Sequence, residues 1–513
     1  MIGKHLYKKT SQLMVIYVIG LFFTLQAAAS TISTDRHALL VEFLFLTDKH
    51  PQWQNLERLK DLELAIQDLV HDGLNPSSYQ LKRIQQLISN LDDGILDFSA
   101  AEDAVISGAY LEAIADLMLG RTRNSNVERY LNFQQQQPDA VAKIVHLAIN
   151  HIDEPSIAFE NARPNIDQYQ NLRQAHQIVL DEVLASPALP IISPDRPSLR
   201  LGMTDPRVTL LRQHLQLPLP DVNANMYDQV LSDAVRQFQA AQGLEADGIA
   251  GPQTIARLNR TPEQNLAAIQ VNLERWRRVN PALTDNRVIT NIAGAKLEYY
   301  QDGELVFTSR TQVGRRDRPT PLMISEISHF TLNPTWTIPP TIYRQDKLPA
   351  IQKDPTYIQS NRLTVLDTQG NRLDPDSIDW DNPGAILLRQ SAGPHNALGQ
   401  VVIRFPNQQA IYLHDTPNQR LFERNERYFS SGCIRVEDAK TLVNSLLEAT
   451  HSSHATQFDA LLSSGQTRNI NIGQPVTIIL GYWTVEALSQ GDLQLFTDVY
   501  DLDKALLNAL NAY

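Results

Sequence analysis

Apolar positions in the first third of the chain recur at helical spacing. Leu62, Ile66, Leu69 and Val70 stand at i, i+4, i+7 and i+8, which puts them on one stripe of a helix. Asp72-Gly73 ends that stripe and Pro76 follows. Similar stripes run through Ala101 to Leu119 and Ile166 to Leu184, so residues from about 34 to 190 read as a helical scaffold without a catalytic pattern. Pro187 to Pro197 has the composition of a linker. Beyond it the pattern predicts short helices over Pro206 to Leu215 and Ser232 to Gln242, with Pro252 placed to open a third. A longer helix is expected from Pro262 to Val279.

From residue 288 the period changes. Val288 to Ile292, Ala295 to Tyr300, Glu304 to Ser309 and His329 to Asn333 alternate or run apolar, and Gln301-Asp302-Gly303 is a hairpin turn signal. Further strands are expected at Ala385 to Leu388, Val401 to Phe405, Ala410 to His414 and Val476 to Tyr482. Pro339 to Pro383 is richer in Asp, Pro, Gln and Asn and reads as an insertion carried on the sheet. Apart from Gln134 to Gln137, repeats and low-complexity tracts do not stand out.

With 513 residues the chain is too long for one ordinary core, and two to four domains are expected. A composition 42% hydrophobic and 20% charged is that of a folded protein, not of collagen, coiled coil or bulk disorder. The net charge of −12 repels phosphate backbones and argues against nucleic-acid binding as a main activity. The N-terminus changes the picture more. Lys4, Lys8 and Lys9 precede an uncharged apolar run, Leu13 to Leu25, and Ala27-Ala28-Ala29 then supplies small residues. That run is shorter than the ~20 residues that span a bilayer, so cleavage after Ala29 is expected, with an uncleaved anchor as the competing reading. Either way the bulk of the protein is expected outside the cytoplasm.

There is a single cysteine, Cys433, which excludes an internal disulfide. In an exported protein a lone thiol is either a reactive group or a small buried hydrophobe. Its neighbours favour reactivity. Three patches converge in the last third: Ile411-Tyr412-Leu413-His414-Asp415-Thr416-Pro417, Ser430-Ser431-Gly432-Cys433-Ile434-Arg435-Val436, and Gly393-Pro394-His395-Asn396-Ala397-Leu398-Gly399. A thiol attacks as thiolate, and its free pKa of about 8.5 leaves a few per cent ionised at neutral pH. A nearby His raises that fraction and later returns the proton. Glycine beside the nucleophile lets the backbone approach substrate, so the Gly432 and Cys433 amides could face a developing oxyanion. Cys, His and a Gly-Cys turn are the minimum kit for acyl transfer. No His-Glu-x-x-His, cysteine pair or Gly-rich phosphate loop is present, so neither metal nor cofactor is expected.

The segments YLHDTP and SSGCIRV, with GPHNALG and Asn333 to Pro340 (NPTWTIPP), resemble the L,D-transpeptidase catalytic domain of the YkuD type, in its larger periplasmic Gram-negative branch. The run Ala234 to Thr254 (AVRQFQAAQGLEADGIAGPQT) resembles the peptidoglycan-binding type 1 domain. One departure is that Ser431 stands where the commoner pattern has a second His, which leaves His414 as the base. The resemblance implies a multidomain α+β chain: signal peptide 1–29, helical scaffold 30–195, a three-helix wall-binding module 196–260, a bridging helix 261–287, a mostly-β catalytic domain 288–485 with a capping insertion at about 339–383, and a C-terminal strand and helix 486–513. It implies a periplasmic peptidoglycan transpeptidase. Cys433 would attack the carbonyl of the diaminopimelate at the third position of a tetrapeptide stem and release D-Ala. The side-chain amine of a second stem would then resolve the thioester into a 3-3 cross-link. No ATP is needed, and carbapenems would acylate Cys433. Implied site residues are Cys433, His414 and Gly432 for catalysis and Tyr412, Arg435, Trp336, Asn396 and Ser430 around substrate, with bracing of the loop the stronger reading for Arg435. Stem peptides, glycan strands along 196–260, cell-wall synthases and carboxypeptidases are the implied partners. Attack by water instead of an amine would make an L,D-carboxypeptidase or amidase. A vestigial wall-binding protein should have lost Cys433 or His414, and the papain-like pattern does not fit.

Overall fold

The structure, a computed structural model, describes residues 36–512 except 96–97, 124, 132–138, 186–188, 195, 355 and 489–490. The expected leader, 1–29, and the Gln134 to Gln137 tract lie outside the described residues. The chain divides into two units, Met1–Ile66, Tyr79–Ala115 and Gln134–Ala162 in one and Gln67–Ser78, Asp116–Phe133 and Arg163–Tyr513 in the other.

Helices make up the first unit: α1 (Arg36–Leu46), α2 (Leu56–Asp68), α3 (Leu81–Asp92), α4 (Ala100–Leu119), α5 (Ala140–Asn150) and α6 (Pro155–Ala162), of which α2 and α4 run a few residues past its bounds. Its core is aromatic. Trp53 sits edge-on to Tyr110 at 5.3 Å, Tyr110 stacks on Phe159 at 5.9 Å, and the buried Trp53 indole donates to Ser107 Oγ at 2.9 Å. That bond lets the indole be buried without stranding its N–H.

In the second unit, α7 (Asp167–Ala185) packs on a later helix, α11 (Pro262–Val279). Between them lie α8 (Arg207–His214), α9 (Gln229–Ala241) and α10 (Pro252–Leu258), around Val208, Leu211, Leu231, Val235 and Ile255. Pro252 is the first residue of α10 and Pro262 that of α11, where a missing N–H costs nothing. Thr261 and Gln264 close a capping box on α11. The far half of α11 is buried although charged. Glu274 accepts from Arg277 and Thr122, and Arg275 pairs with Glu128 at 2.6 Å and Asp503 at 2.7 Å. Arg278, buried too, gives its guanidinium to the Val127 and Glu128 carbonyls, so each buried charge is either paired or hydrogen-bonded.

The rest is built on strands β1 (Arg287–Asn291), β2 (Lys296–Gln301), β3 (Glu304–Gly314), β4 (Met323–Leu332), β5 (Trp336–Thr337), β6 (Leu363–Leu366), β7 (Arg372–Leu373), β8 (Leu387–Gln390), β9 (Val401–Arg404), β10 (Leu413–His414), β11 (Tyr428–Ser430), β12 (Ile434–Val436) and β13 (Arg468–Gly481). Nine of them form one sheet in the order β11-β3-β12-β10-β9-β4-β13-β1-β2, and a β2–β3 pairing closes it into a ring. The turn closing the β2–β3 hairpin has Asp302 at φ 51° and Gly303 at φ 86°, the left-handed pair that matches strand twist.

Several strands differ from their expected extents. β4 and β13 are about twice as long as the sequence pattern indicates, because Ser325, Glu326 and Ser328 interrupt the apolar run of one and a register break between Asn471 and Val476 interrupts the other. The expected strand Ala410 to His414 shrinks to Leu413–His414: Ala410 has φ 55°, and the Asn407 side chain takes both the N–H and the carbonyl of Ile411. β5, β8, β6 and β7 make a separate four-stranded sheet with its own core of Ile338, Ile351, Ile358, Leu363, Val365 and Leu388. This subdomain takes in Trp336–Thr337 and Leu387–Gln390, on either side of residues 339–383.

Candidate active site

β10 runs parallel to β12 with Leu413 opposite Ile434 and His414 opposite Arg435, and the Ile434 N–H donates to the Tyr412 carbonyl. Residues opposite one another in neighbouring strands share a face, and so do residues two apart. Tyr412, His414, Cys433 and Arg435 therefore project from one face as a square, with Tyr412 beside Cys433 and His414 on the diagonal. Leu413 and Ile434, between them, are buried in the core. Polar residues alternating with apolar ones on two short strands are what build this face.

Cys433 is the free thiol, partly exposed. Its Sγ lies 3.8 Å from the Ala410 carbonyl, to which the thiol donates. Burial pushes its pKa up, above the usual thiol range. The backbone N–H and hydroxyl of Tyr412, both on the sulfur, and then Arg404 and Arg435 pull the other way. Trp336 lies beside the Tyr412 hydroxyl, which brings the four-stranded subdomain next to the nucleophile's neighbour. Arg404 of β9 lies over the Tyr412 ring at 4.9 Å.

His414 is buried, and its Nδ1 lies 2.6 Å from the Asp415 backbone carbonyl. A carbonyl only accepts, so Nδ1 carries the proton and Nε2 presents its lone pair. Burial first, then the positive Arg435 and Arg404, lower its pKa to about 3, against the pull of the Asp415 carbonyl. The ring is neutral at working pH. Among the described hydrogen bonds none joins His414 to Cys433. The Asp415 carboxylate is buried, accepts from the Thr416 and Gln400 amides, and fills the space at Gly399, where an added Cβ would lie 2.3 Å from it at φ +61°. That contact locks the Gly393 to Gly399 loop against the His strand.

The structure gives three expected site residues other work. Gly432, at φ +113°, donates its N–H to Ser430 Oγ at 3.1 Å, while its carbonyl accepts from Thr320 Oγ1 at 2.8 Å. Its amide is thus spent inside the turn and does not face an oxyanion. The Cys433 amide, by contrast, has no partner among the described hydrogen bonds. Ser430 is buried, and its hydroxyl braces the turn instead of meeting substrate. Asn396 is buried as well. It donates to the Pro334 and Ser391 carbonyls and accepts from Leu398 N–H, so it clamps its loop with nothing left for a ligand. Arg435 donates through Nη1 to Gln312 Oε1 at 2.9 Å, and its Nε has no hydrogen-bond partner among the described residues. Trp336 is half-buried between the subdomain core and Tyr412.

Sequence reasoning missed Arg404, Gln312 and Thr320. Arg404 is the one whose signal was legible, as the polar end of an apolar strand two places from Val402. Ser431, in the place of the commoner His, accepts from Arg318 at 3.0 Å. Arg318 in turn forks onto Asp346 of the subdomain at 2.6 and 2.9 Å. Among the described residues, His, Cys, Asp and Glu side chains gather nowhere in a group able to hold a metal.

Residues 285–478 match the sequence model of the L,D-transpeptidase catalytic domain, residues 204–258 that of a peptidoglycan binding domain, and residues 39–175 that of a scaffold domain. A Haemophilus influenzae protein provisionally named an L,D-transpeptidase is 38% identical over 224 residues, 43% of this chain and 45% of that protein. The chain thus spans about half the length of this relative. Solved L,D-transpeptidases of Mycobacterium smegmatis and Mycobacterium tuberculosis are each 15% identical over 38% of this chain. The matches take in 58% and 60% of those chains, with TM-scores of 0.17 and 0.15. Such scores add nothing to the match in sequence.

Proposed function

From a chain that carries a YkuD-type L,D-transpeptidase catalytic domain and a peptidoglycan-binding type 1 domain, we propose an exported, periplasmic cysteine acyltransferase that forms 3-3 cross-links between peptidoglycan stems. One observation carries the reading. The sole cysteine stands on one face of two parallel strands beside a tyrosine that favours its thiolate and diagonal to a neutral histidine with Nε2 unprotonated.

The chemistry follows from those roles. The Cys433 thiol loses its proton to His414 Nε2 as sulfur attacks the carbonyl of the third residue of a tetrapeptide stem. Tyr412 stabilises charge on the sulfur through its hydroxyl and N–H. The oxyanion forms within reach of the Cys433 amide, and a preorganised donor of this kind is worth about 2.7–4 kcal/mol. Collapse breaks the C–N bond, His414 gives its proton to the departing amine, and D-Ala leaves. The side-chain amine of a second diaminopimelate then attacks the thioester, passes a proton to His414, and the thiol is restored. One amide is exchanged for another, so no energy source is required. The donor would lie across the face that carries Cys433 and Arg435, with Trp336 beside Tyr412. The wall-binding module keeps the enzyme on its polymer.

The test is to trap the acyl-enzyme. A tetrapeptide donor with its diaminopimelate side-chain amine acetylated cannot act as acceptor. The mature protein, Ser30 to Tyr513, should release one D-Ala per chain in a burst and gain the mass of the acyl tripeptide, and Cys433→Ala should do neither. Continuous turnover to tripeptide would place the protein among hydrolases instead, and an adduct retained in Cys433→Ala would remove Cys433 as nucleophile.

A further inference from the structure

Away from Cys433, a cavity of about 500 Å³ opens where α10 and the residues after it meet the turns around Ala293 to Lys296, Asn425 to Tyr428 and Gln494 to Asp498. That volume falls within the range of small-ligand sites. Its distinguishing feature is cationic. Arg257, Arg260 and Arg427 all line it, and none makes an ion pair among the described residues. Arg257 gives Nη2 to the Leu495 carbonyl, Arg260 uses the Asn265 side chain and the Gln264 carbonyl, and Arg427 is spread over backbone carbonyls, those of Thr311 and Gly294 among them.

Among the described residues, the acids in the same cavity make no ion pair with these three arginines. Asp503 is held by Arg275 and Thr484, and Asp498 accepts from the Tyr482 hydroxyl and two amides. Glu426 takes one bond from Gln253. The one lysine there, Lys296, is neutralised by Glu298 and Glu486. Burial, and then Arg260 beside it, lower the Arg257 pKa to about 10, and burial, against the pull of Asp503, lowers that of Arg260. Two guanidiniums lining one part-buried cleft without an ion pair, in a chain whose net charge is −12, are a charge placement that folding alone does not reward. A planar carboxylate met by a guanidinium fork is the ligand that rewards it.

We propose that this cleft is a second binding site, in which Arg257 and Arg260 hold the free carboxylates of a peptidoglycan stem peptide at the seam between the wall-binding module and the catalytic domain. The proposal rests on the reading that the chain works on peptidoglycan. A long polyanion would be repelled by the acidic remainder of the protein, whereas a short peptide with two or three carboxylates enters the cleft alone. The site would hold a neighbouring stem while another occupies the Cys433 face.

The experiment is calorimetric titration of the full mature chain carrying Cys433→Ala, so that nothing turns over, with a free tetrapeptide stem. Two sites per chain are expected. The double variant Arg257→Gln/Arg260→Gln should lose one of them, or weaken it by about tenfold or more, while Arg257→Lys/Arg260→Lys retains part of it and circular dichroism stays that of the parent. A stem with its carboxylates amidated should fill one site fewer. Loss of both sites at once, or stoichiometry untouched by the glutamine variant, overturns the proposal. So does inorganic phosphate displacing the stem there at equal concentration, which would mark a general anion site. Absence of any stem binding by the parent would overturn the peptidoglycan reading too, whereas one-to-one binding indifferent to the arginines overturns only this proposal.

Discussion

Replacing Tyr412 with Phe removes one hydroxyl from the surroundings of the nucleophile. It removes the hydroxyl that favours the Cys433 thiolate and leaves the Tyr412 backbone N–H, the ring and its contact with Arg404 in place. A hydrogen bond to a charged group contributes about 1.5–3 kcal/mol, so its loss should raise the thiol pKa by about 1–2. At a pH below that pKa, the thiolate fraction falls by the same factor. The thiolate that remains is more nucleophilic, because nucleophilicity follows basicity with a slope of about 0.4–0.5, and the net fall in rate is about 3- to 16-fold. Since Cys433 is the only cysteine, iodoacetamide alkylation of the intact protein reads this one sulfur without deconvolution. Alkylation rate against pH should show a midpoint above the usual thiol range in the parent and higher still in Tyr412→Phe. A midpoint that is unchanged, or lower, would show that the hydroxyl does not stabilise the thiolate and would refute the reasoning.

Other parts of the account are open to measurement as well. Because the His414 pKa is lowered from 6.5 to about 3, the unfolded chain takes up that proton before the folded one does as pH falls. His414 therefore costs stability between those two values and nothing above them, and the rate of acylation by a carbapenem should stay flat as pH drops through 6.5; an ionisation near 6.5 that vanishes in His414→Gln would contradict this. Asn396→Ala strands two carbonyls and an amide, at about 1–3 kcal/mol each where water cannot reach them, so thermal melting should shift down markedly while KM of the surviving folded enzyme holds; a raised KM with unchanged melting would restore Asn396 as a substrate contact. Gly399→Ala adds a Cβ against the Asp415 carboxylate at a left-handed φ, and should destabilise by about 1–3 kcal/mol and lower acylation by displacing the His strand; a neutral outcome by denaturant titration would mean that the loop and strand move apart freely.

Local signals proved the most legible. The Pro262 start of the long helix, Pro252 opening the third helix of the small module and the Asp302-Gly303 turn are all read from chemistry a few residues wide. Strand extents were less so, because β4 and β13 owe their length to pairing with each other and not to their own alternation. At the site, the sequence marked Tyr412, His414, Cys433 and Arg435, and the structure brings those four onto one face of adjacent strands. It could not distinguish the residues that face outward from those that hold the turn. Ser430, Gly432 and Asn396 look like polar, substrate-facing positions in a row of letters, yet their hydrogen bonds are consumed by neighbours, Thr320 and Pro334 among them, that lie far away along the chain. Arg404 was passed over although it is the polar end of an apolar strand, because its importance comes from the Tyr412 ring beneath it, across a strand pairing.

The central claim is that Cys433 joins two stems through a thioester. The mature protein should be incubated with purified disaccharide-tetrapeptides beside its Cys433→Ala variant and the products weighed. A dimer lighter than two monomers by one D-Ala, absent from the variant, is the predicted result. Tripeptide monomers without dimer, or dimer formed equally by Cys433→Ala, would contradict it.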